Sequence, residues 1–199
     1  MARVTAHISV SVDGFSAGPH QSLEKAFGDG DVDQLHRWMF ETPEENADVI
    51  ADIVAADAFI MGRNMFSPGR GAWDLDWTGW WGEDPPYHKP VFVLTHHQRA
   101  DLPMAGGTTF SFVTGGIHDA FKRAQEATGD GHISIAGGAA TLNQFLAAGL
   151  VDELTLNIAP VTLGVGERVF DGVPPLGLEQ ISALPRTLVT HVTYRVRKP

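Results

Sequence analysis

The chain has 199 residues, of which 43% are hydrophobic, and a formal net charge of -10. That length and apolar content suffice for one domain spanning 1–199 with a sizeable core, and the acidic balance argues against nucleic acid or an anionic membrane as partner. There is no cysteine, which excludes disulfides and cysteine-bearing zinc sites and fits a cytoplasmic protein; no stretch reaches the ~18 to 20 apolar residues of a membrane span, and the N-terminus runs into a strand pattern rather than a signal peptide.

Val4 to Val12 places Val4, Ala6, Ile8, Val10 and Val12 on one side of a half-buried strand. Asp13-Gly14 and Gly18-Pro19 break the chain, and residues 19 to 32 read as a loop. Asp31 or Asp33 is placed to cap a helix carrying Leu35, Trp38 and Met39. A second helix is predicted from Pro43 to Ala56, with Val49, Ile50, Ile53 and Val54 on one side.

Ala58 to Met61 is a short buried strand running directly into Gly62-Arg63. Ser67 to Pro90 has no periodicity and holds four of the five tryptophans, Trp73, Trp77, Trp80 and Trp81. A loop of that length in a compact domain is usually functional or mobile. Val91 to Thr95 is a continuous apolar strand leading into His96-His97, Phe110 to Val113 is another, and Ile117 to Ala127 reads as a helix.

Ile133 to Leu154 reads as strand, glycine pair, helix, glycine stop and strand, with Leu142, Phe145, Leu146 and Leu150 on the helix's apolar side. The pair Gly137-Gly138 admits two readings. Two glycines at a strand-to-helix turn leave backbone N–H groups open to a phosphate, with the helix dipole behind them; the same residues also serve a tight turn for geometry alone. Leu154 to Pro160 is a strand, residues 161–172 a glycine-punctuated loop, and Leu178 to Ala183 with Leu188 to Arg197 a closing antiparallel pair.

Alternating strands and helices ending in an antiparallel pair give an α/β fold with a mostly parallel sheet. Ligands of such sheets sit beyond the carboxyl ends of the strands. Asp13-Gly14, Gly62-Arg63, Thr95-His96 and Gly137-Gly138 all fall at such ends, so the topology gathers them on one rim.

In their order, Ser11-Val12-Asp13-Gly14, Met61-Gly62-Arg63, Leu94-Thr95-His96-His97, Ile135-Ala136-Gly137-Gly138 and Gly164-Val165-Gly166-Glu167-Arg168-Val169-Phe170 resemble the dihydrofolate reductase fold. They are most similar to its branch shared with the C-terminal reductase domain of bifunctional riboflavin biosynthesis proteins. The resemblance runs from Val4 to Arg197. It implies a mixed, mostly parallel sheet with helices on both faces, and NADPH as cofactor. Carried over, Gly62, Arg63, Gly137, Gly138, Ala139 and Thr141 meet the cofactor phosphates. Thr95, His96 and His97, with Arg99 a further candidate, hold the adenosine and its 2′-phosphate. The branch also implies a homodimer, for which Val189, Val192 and Val196 offer apolar positions.

Two positions depart from the family pattern. Leu35 stands where dihydrofolate reductases carry an acidic residue on the first helix, and only Lys25 and Arg37 are strong cations between residues 13 and 45. The expected activity is hydride transfer from NADPH to a small, heterocyclic substrate, a riboflavin-pathway pyrimidine or pterin-like compound. Flavin or deazaflavin binding in the same crevice, and a non-catalytic dimer, are the alternatives. Asp13 is the expected polar group at the substrate end, either passing a proton through water or anchoring the substrate, unless it is only a turn former. Phe15, Trp73, Trp81, Gly164 and Gly166 are the expected substrate-pocket residues, the tryptophan loop either walling that pocket against water or covering a core edge, and no metal site is expected.

Overall fold

The computed structural model describes residues 2–197. In chain order, β1 (Arg3–Ser11) and β2 (Phe15–Ala17) precede the short helices α1 (Arg37–Phe40) and α2 (Ala47–Ile53). Then come β3 (Ala58–Gly62), α3 (Arg63–Phe66), β4 (Pro90–Leu94), β5 (Leu102–Pro103), β6 (Thr109–Val113) and α4 (Gly116–Thr128). The last third holds β7 (His132–Gly137), α5 (Ala139–Ala147), β8 (Glu153–Ala159), β9 (Glu167–Arg168), β10 (Gly177–Pro185) and β11 (Thr190–Arg197).

Nine strands form one sheet in the order β10-β11-β8-β1-β7-β3-β4-β6-β5, while β2 and β9 pair separately. The six central strands are mutually parallel, and β11, β10 and β5 add antiparallel edges. Central β1 lies between β7 and β8, with Ala6 opposite both Ile135 and Leu154. Its alternation sorts two covered faces. Val4, Ala6, Ile8 and Val10 join a core under α4 and α5 that includes Leu142, Phe145 and Leu146. Thr5, Ser9 and Ser11, on the other side, are equally buried. There the 31–56 segment covers them, centred on fully buried Trp38 packed with Val49 and Val189.

Alternation in β3 works in the same way: Ala58 and Ile60 face the α4–α5 core, and Phe59 and Met61 face a second cluster with Val91, Val93 and Phe110. The stretch between Phe66 and Pro90 forms neither helix nor strand, as predicted, and lays its aromatics over this second cluster.

The helices of the 31–56 segment are shorter than the pattern predicts. The turn carrying Leu35 is a 3-10 segment, Val32–Leu35, separated from α1 by His36 at φ -119°. Asp31 makes no side-chain cap there, and the predicted 43–56 helix is regular only over Ala47–Ile53. Short β2, β5 and β9 carry too few residues for a periodic signal. The positions expected to form a dimer contact are corrected outright. Val189, Val192 and Val196 are 3%, 7% and 6% exposed, so they build the protein's own core.

Candidate active site

The parallel strands end on a common rim, where Met61 is registered with Gly137 and Gly62 with Leu94. Gly62 ends β3 and precedes α3. A Cβ built on Gly62 would overlap Thr141 Oγ1, so this glycine lets β3 lie against the first turn of α5. Gly137 has φ +116°, whereas Gly138 has φ -69° and open space where a Cβ would point. No side chain caps α5; the amides of Thr141 and Leu142 return to Gly138 O at 3.1 and 3.0 Å. The preceding amides, Ala139 and Ala140, lie in the part of a helix that has no intrahelical acceptor. The Ala139 and Thr141 side chains are buried, so what they offer a ligand is backbone.

Arg63 begins α3 and turns into the loop after it. Its Nη1 donates to Gly71 O at 2.6 Å, and its guanidinium lies 4.0 Å from the Trp73 ring centroid. Its Nε is buried without a partner. Burial first, and the nearby charge of Arg70 second, push the Arg63 pKa down. Arg70 reaches Asn64 Oδ1 at 2.8 Å.

Trp73 Nε1 donates to His97 O at 2.8 Å. Within the 95–97 turn the Thr95 hydroxyl accepts from His97 N at 3.1 Å and donates to His97 O at 3.3 Å. Thr95 is thus buried turn chemistry rather than a free phosphate ligand, while His96 and His97 are exposed. Arg99 is likewise engaged. Its Nη2 donates to Trp77 O (2.8 Å) and Leu75 O (3.2 Å), and its guanidinium lies 5.0 Å from the Phe112 ring centroid.

Trp73 and Trp81 are not placed beside Asp13. Trp73 packs on Phe112 with centroids 4.9 Å apart, and Trp81 on Tyr87 at 5.3 Å and Phe110 at 5.8 Å. Phe110 belongs to β6, four strands from β1, which is roughly 19 Å at ordinary strand spacing. These tryptophans wall the second core cluster, and the expectation that they line a substrate pocket with Asp13 is corrected.

Asp13 is corrected too, in its role as a proton carrier. Its carboxylate accepts the Ser11 hydroxyl at 2.6 Å and the amides of Leu163 (3.0 Å) and Gly164 (2.7 Å). These donors, the Ser11 hydroxyl foremost, hold its pKa down at about 2. A group so acidic carries no proton near neutrality. Phe15 is 6% exposed beneath Arg168, whose guanidinium lies 4.3 Å from its ring centroid. Gly166 lets the chain pass β2, since a Cβ there would overlap Ala17 O, while Gly164 faces open space. Of the expected pocket residues, only Gly166 lines the cavity of about 410 Å³ that opens between Asn143 and Gln144 of α5 and the loop bearing Arg168 and Asp171.

Pattern reading passed over a polar network on the buried face of β1 and β8. Trp38 Nε1 donates to Ser9 Oγ at 3.3 Å. Asn46 donates to Thr42 O at 2.7 Å, so its Oδ1 is left to accept from His191 Nε2 at 2.9 Å. The other imidazole nitrogen lies 2.8 Å from the Asn157 side-chain amide, and burial pushes the His191 pKa down. Asn143 was passed over as well. It takes Phe170 N (2.8 Å) and gives to Arg168 O (3.0 Å), bracing the glycine loop on α5. The one available signal was an amide residue inside an otherwise apolar helix stripe.

The balance of charge singles out the rim. Arg3 pairs with Glu153, Arg37 with Glu41, Arg123 with Asp119, Arg186 with Asp48, and Arg195 and Arg197 with Glu179. Among the described residues, Arg63, Arg70, Arg99 and Arg168 are the arginines without a carboxylate at ion-pair distance. Two of those four, Arg63 and Arg70, lie just after Gly62, with Arg70 bonded to Asn64 of α3.

This fold with its glycine-lined rim agrees with what comparison finds: the family model of the RibD C-terminal domain matches residues 2–192. The chain belongs to that family. Among its relatives, the uncharacterized protein YyaP of Bacillus subtilis (strain 168) is 27% identical over 179 residues, covering 84% of this chain and 80% of that one. The crystal structure of a Shewanella sp. PV-4 protein ascribed to riboflavin biosynthesis matches with a TM-score of 0.66 and 25% identity over 99% of both chains. The dihydrofolate reductase of Enterococcus faecalis, solved with NADP(H), has a TM-score of 0.54 at 13% identity, covering 98% of this chain and 96% of that one. The RibD C-terminal fold expected from the ordered motifs is therefore the fold present, antiparallel edge included. No helix among the described residues is long and apolar enough to cross a membrane.

Proposed function

We propose that this protein is an NADPH-dependent reductase acting on a small nitrogen heterocycle, a pyrimidine or pterin-like compound of the riboflavin-pathway kind. One observation carries the reading: a chain of net charge -10 keeps neighbouring Arg63 and Arg70 without carboxylate partners just after Gly62, which lies against Thr141 in the first turn of uncapped α5. Two neighbouring guanidiniums without counter-charge repel each other, and an anion set between them relieves that cost.

The residues present fit a dinucleotide phosphate. Arg63 Nε is a buried donor without a partner, and the space in front of Gly138 is open. Gly138 and the first amides of α5 would hold the pyrophosphate together with Arg63 and Arg70. The exposed imidazoles of His96 and His97 would face the 2′-phosphate. NADPH, when bound, supplies the hydride. The chain's own part is to orient the cofactor along the rim, from the 95–97 turn toward the turn at Asp13. Leu35 and Trp38 are both fully buried, so the position where dihydrofolate reductases carry an acidic residue offers no carboxylate, and the substrate would take its proton from water. The likeness to the Shewanella protein supports the substrate class, and the likeness to an NADP(H)-bound reductase supports the cofactor.

Calorimetric titration tests the reading. NADPH should bind more tightly than NADH, and Arg70→Ala should weaken NADPH by about tenfold, the worth of one charge-assisted hydrogen bond. Equal affinity for the two cofactors would remove the 2′-phosphate assignment. Wild-type affinity in both Arg70→Ala and Arg63→Ala would overturn the cofactor site itself.

A further inference from the structure

The turn after β1 receives a segment from 150 positions further along the chain. Val12 N donates to Val161 O at 2.9 Å, and Val169 N to Gly14 O at 3.0 Å, so both ends of residues 161–169 are fastened to this turn. Arg168 Nη1 reaches Asp13 O at 3.3 Å. Between those fastenings the segment has no regular structure until Glu167, and its middle is held by one side chain. Asp13 Oδ1 takes the Leu163 amide and Oδ2 the Gly164 amide, at 3.0 and 2.7 Å. Ser11 Oγ, which itself accepts the Phe15 amide at 2.9 Å, donates to the carboxylate and fixes its orientation.

An Asp-Gly turn needs none of these distant partners, since local hydrogen bonds suffice to make one. A proton carrier would need an oxygen free to change its protonation. Asp13 has a different arrangement, two oxygens divided between two consecutive backbone amides of a remote glycine loop. The geometry points to Asp13 as a positioning residue that sets the place of Leu163 and Gly164 on the rim, and with it the shape of the surface that receives the nicotinamide and substrate. This rests on the reductase reading above. Val12 and Val165, at 65% and 60% exposure, stand on the two segments that the carboxylate joins. Their placement as apolar surface at the reacting end depends on that junction.

The test separates the tie, the cofactor end and the nicotinamide end. In the wild-type protein the amides of Leu163 and Gly164 should resist hydrogen exchange, although they lie in an irregular loop. Exchange of both at the rate of an unprotected loop would overturn the inference whether or not any variant folds. Asp13→Asn has one acceptor oxygen in place of two, and exchange at these amides should rise about tenfold or more, as for a lost hydrogen bond to a charged group. Adenosine 2′,5′-bisphosphate, which probes only the phosphate end, should bind Asp13→Asn as it binds wild type. The fluorescence of bound NADPH, which reports on the nicotinamide's surroundings, should change. Unchanged exchange or unchanged NADPH fluorescence in Asp13→Asn would overturn the positioning role. Failure of wild type to bind either nucleotide would instead remove the cofactor reading, with the exchange data still deciding whether the tie exists.

Discussion

Gly62 gives the sharpest quantitative expectation. Its backbone, at φ -78° and ψ 157°, is open to any residue, so an alanine there carries no backbone strain. What forbids the alanine is Thr141, whose Oγ1 would overlap the new Cβ while its own Cβ would lie 3.6 Å away. Thr141 is 6% exposed in the first turn of α5, and β-branched side chains on helices have few rotamers. Turning Thr141 about χ1 brings its methyl into the same volume or forces a disfavoured rotamer. Either way Gly62→Ala is an overpacking change, costing about 1 to 3 kcal/mol, or roughly 2 to 12 °C in melting midpoint for a domain of this size. Thr141→Ala removes the obstructing oxygen and leaves only a Cβ contact of ordinary length. The double variant Gly62→Ala/Thr141→Ala should therefore be more stable than the sum of its parts, with a coupling of about 1 to 2 kcal/mol. Urea denaturation of the four proteins measures the cycle. A Gly62→Ala protein with the wild-type midpoint, or additive effects in the double variant, would refute the close packing of β3 on α5.

Other expectations concern buried polar groups. Burial pushes the His36 pKa down to about 4, and the ring stacks on Phe27 at 4.3 Å. The unfolded chain binds the proton more readily, so stability should fall as pH drops from above 6.5 toward 4, by up to ~3 kcal/mol. His36→Phe should flatten that slope in urea melts at pH 7.5 and 5; an equal slope would exclude His36 as its source. Asp13 acts in the same sense, in a lower window. Its depressed pKa lends stability above about pH 4 that disappears as pH falls toward 2, and acid titration of Asp13→Asn should lack that component. Asn143→Ala should strand Phe170 N and Arg168 O, costing about 2 to 4 kcal/mol. A melting point unchanged from wild type would mean that α5 does not brace the glycine loop.

Much of this protein was legible in its sequence. Runs such as Ala58–Met61 and Val91–Val93, apolar on both faces, specify buried parallel strands whatever surrounds them, and the order of strand-end motifs along the chain specified the family and the rim. The alternation in β1 correctly sorted Val4, Ala6, Ile8 and Val10 onto one face, whereas Val12, grouped with them, lies past the end of the strand and is 65% exposed. What it did not convey is that the polar side is equally covered, because the covering group, Trp38 with Asn46 and His191, is assembled from segments up to 145 residues apart.

The same limit governs the site. Arg99, Thr95 and Asp13 look like ligands by residue type, and their type is all the sequence gives. Each proves to be engaged, Arg99 with carbonyls of the tryptophan loop, Thr95 within its own turn, and Asp13 with the Gly164 loop. Arg63 and Arg70 are hydrogen-bonded as well, to Gly71 O and Asn64 Oδ1, and what sets them apart is that two guanidiniums lie close together with no carboxylate between them. Hydrophobic periodicity reports which side of a local element is buried. Whether a polar group is already satisfied depends on partners brought in by the tertiary fold, and no local pattern encodes them.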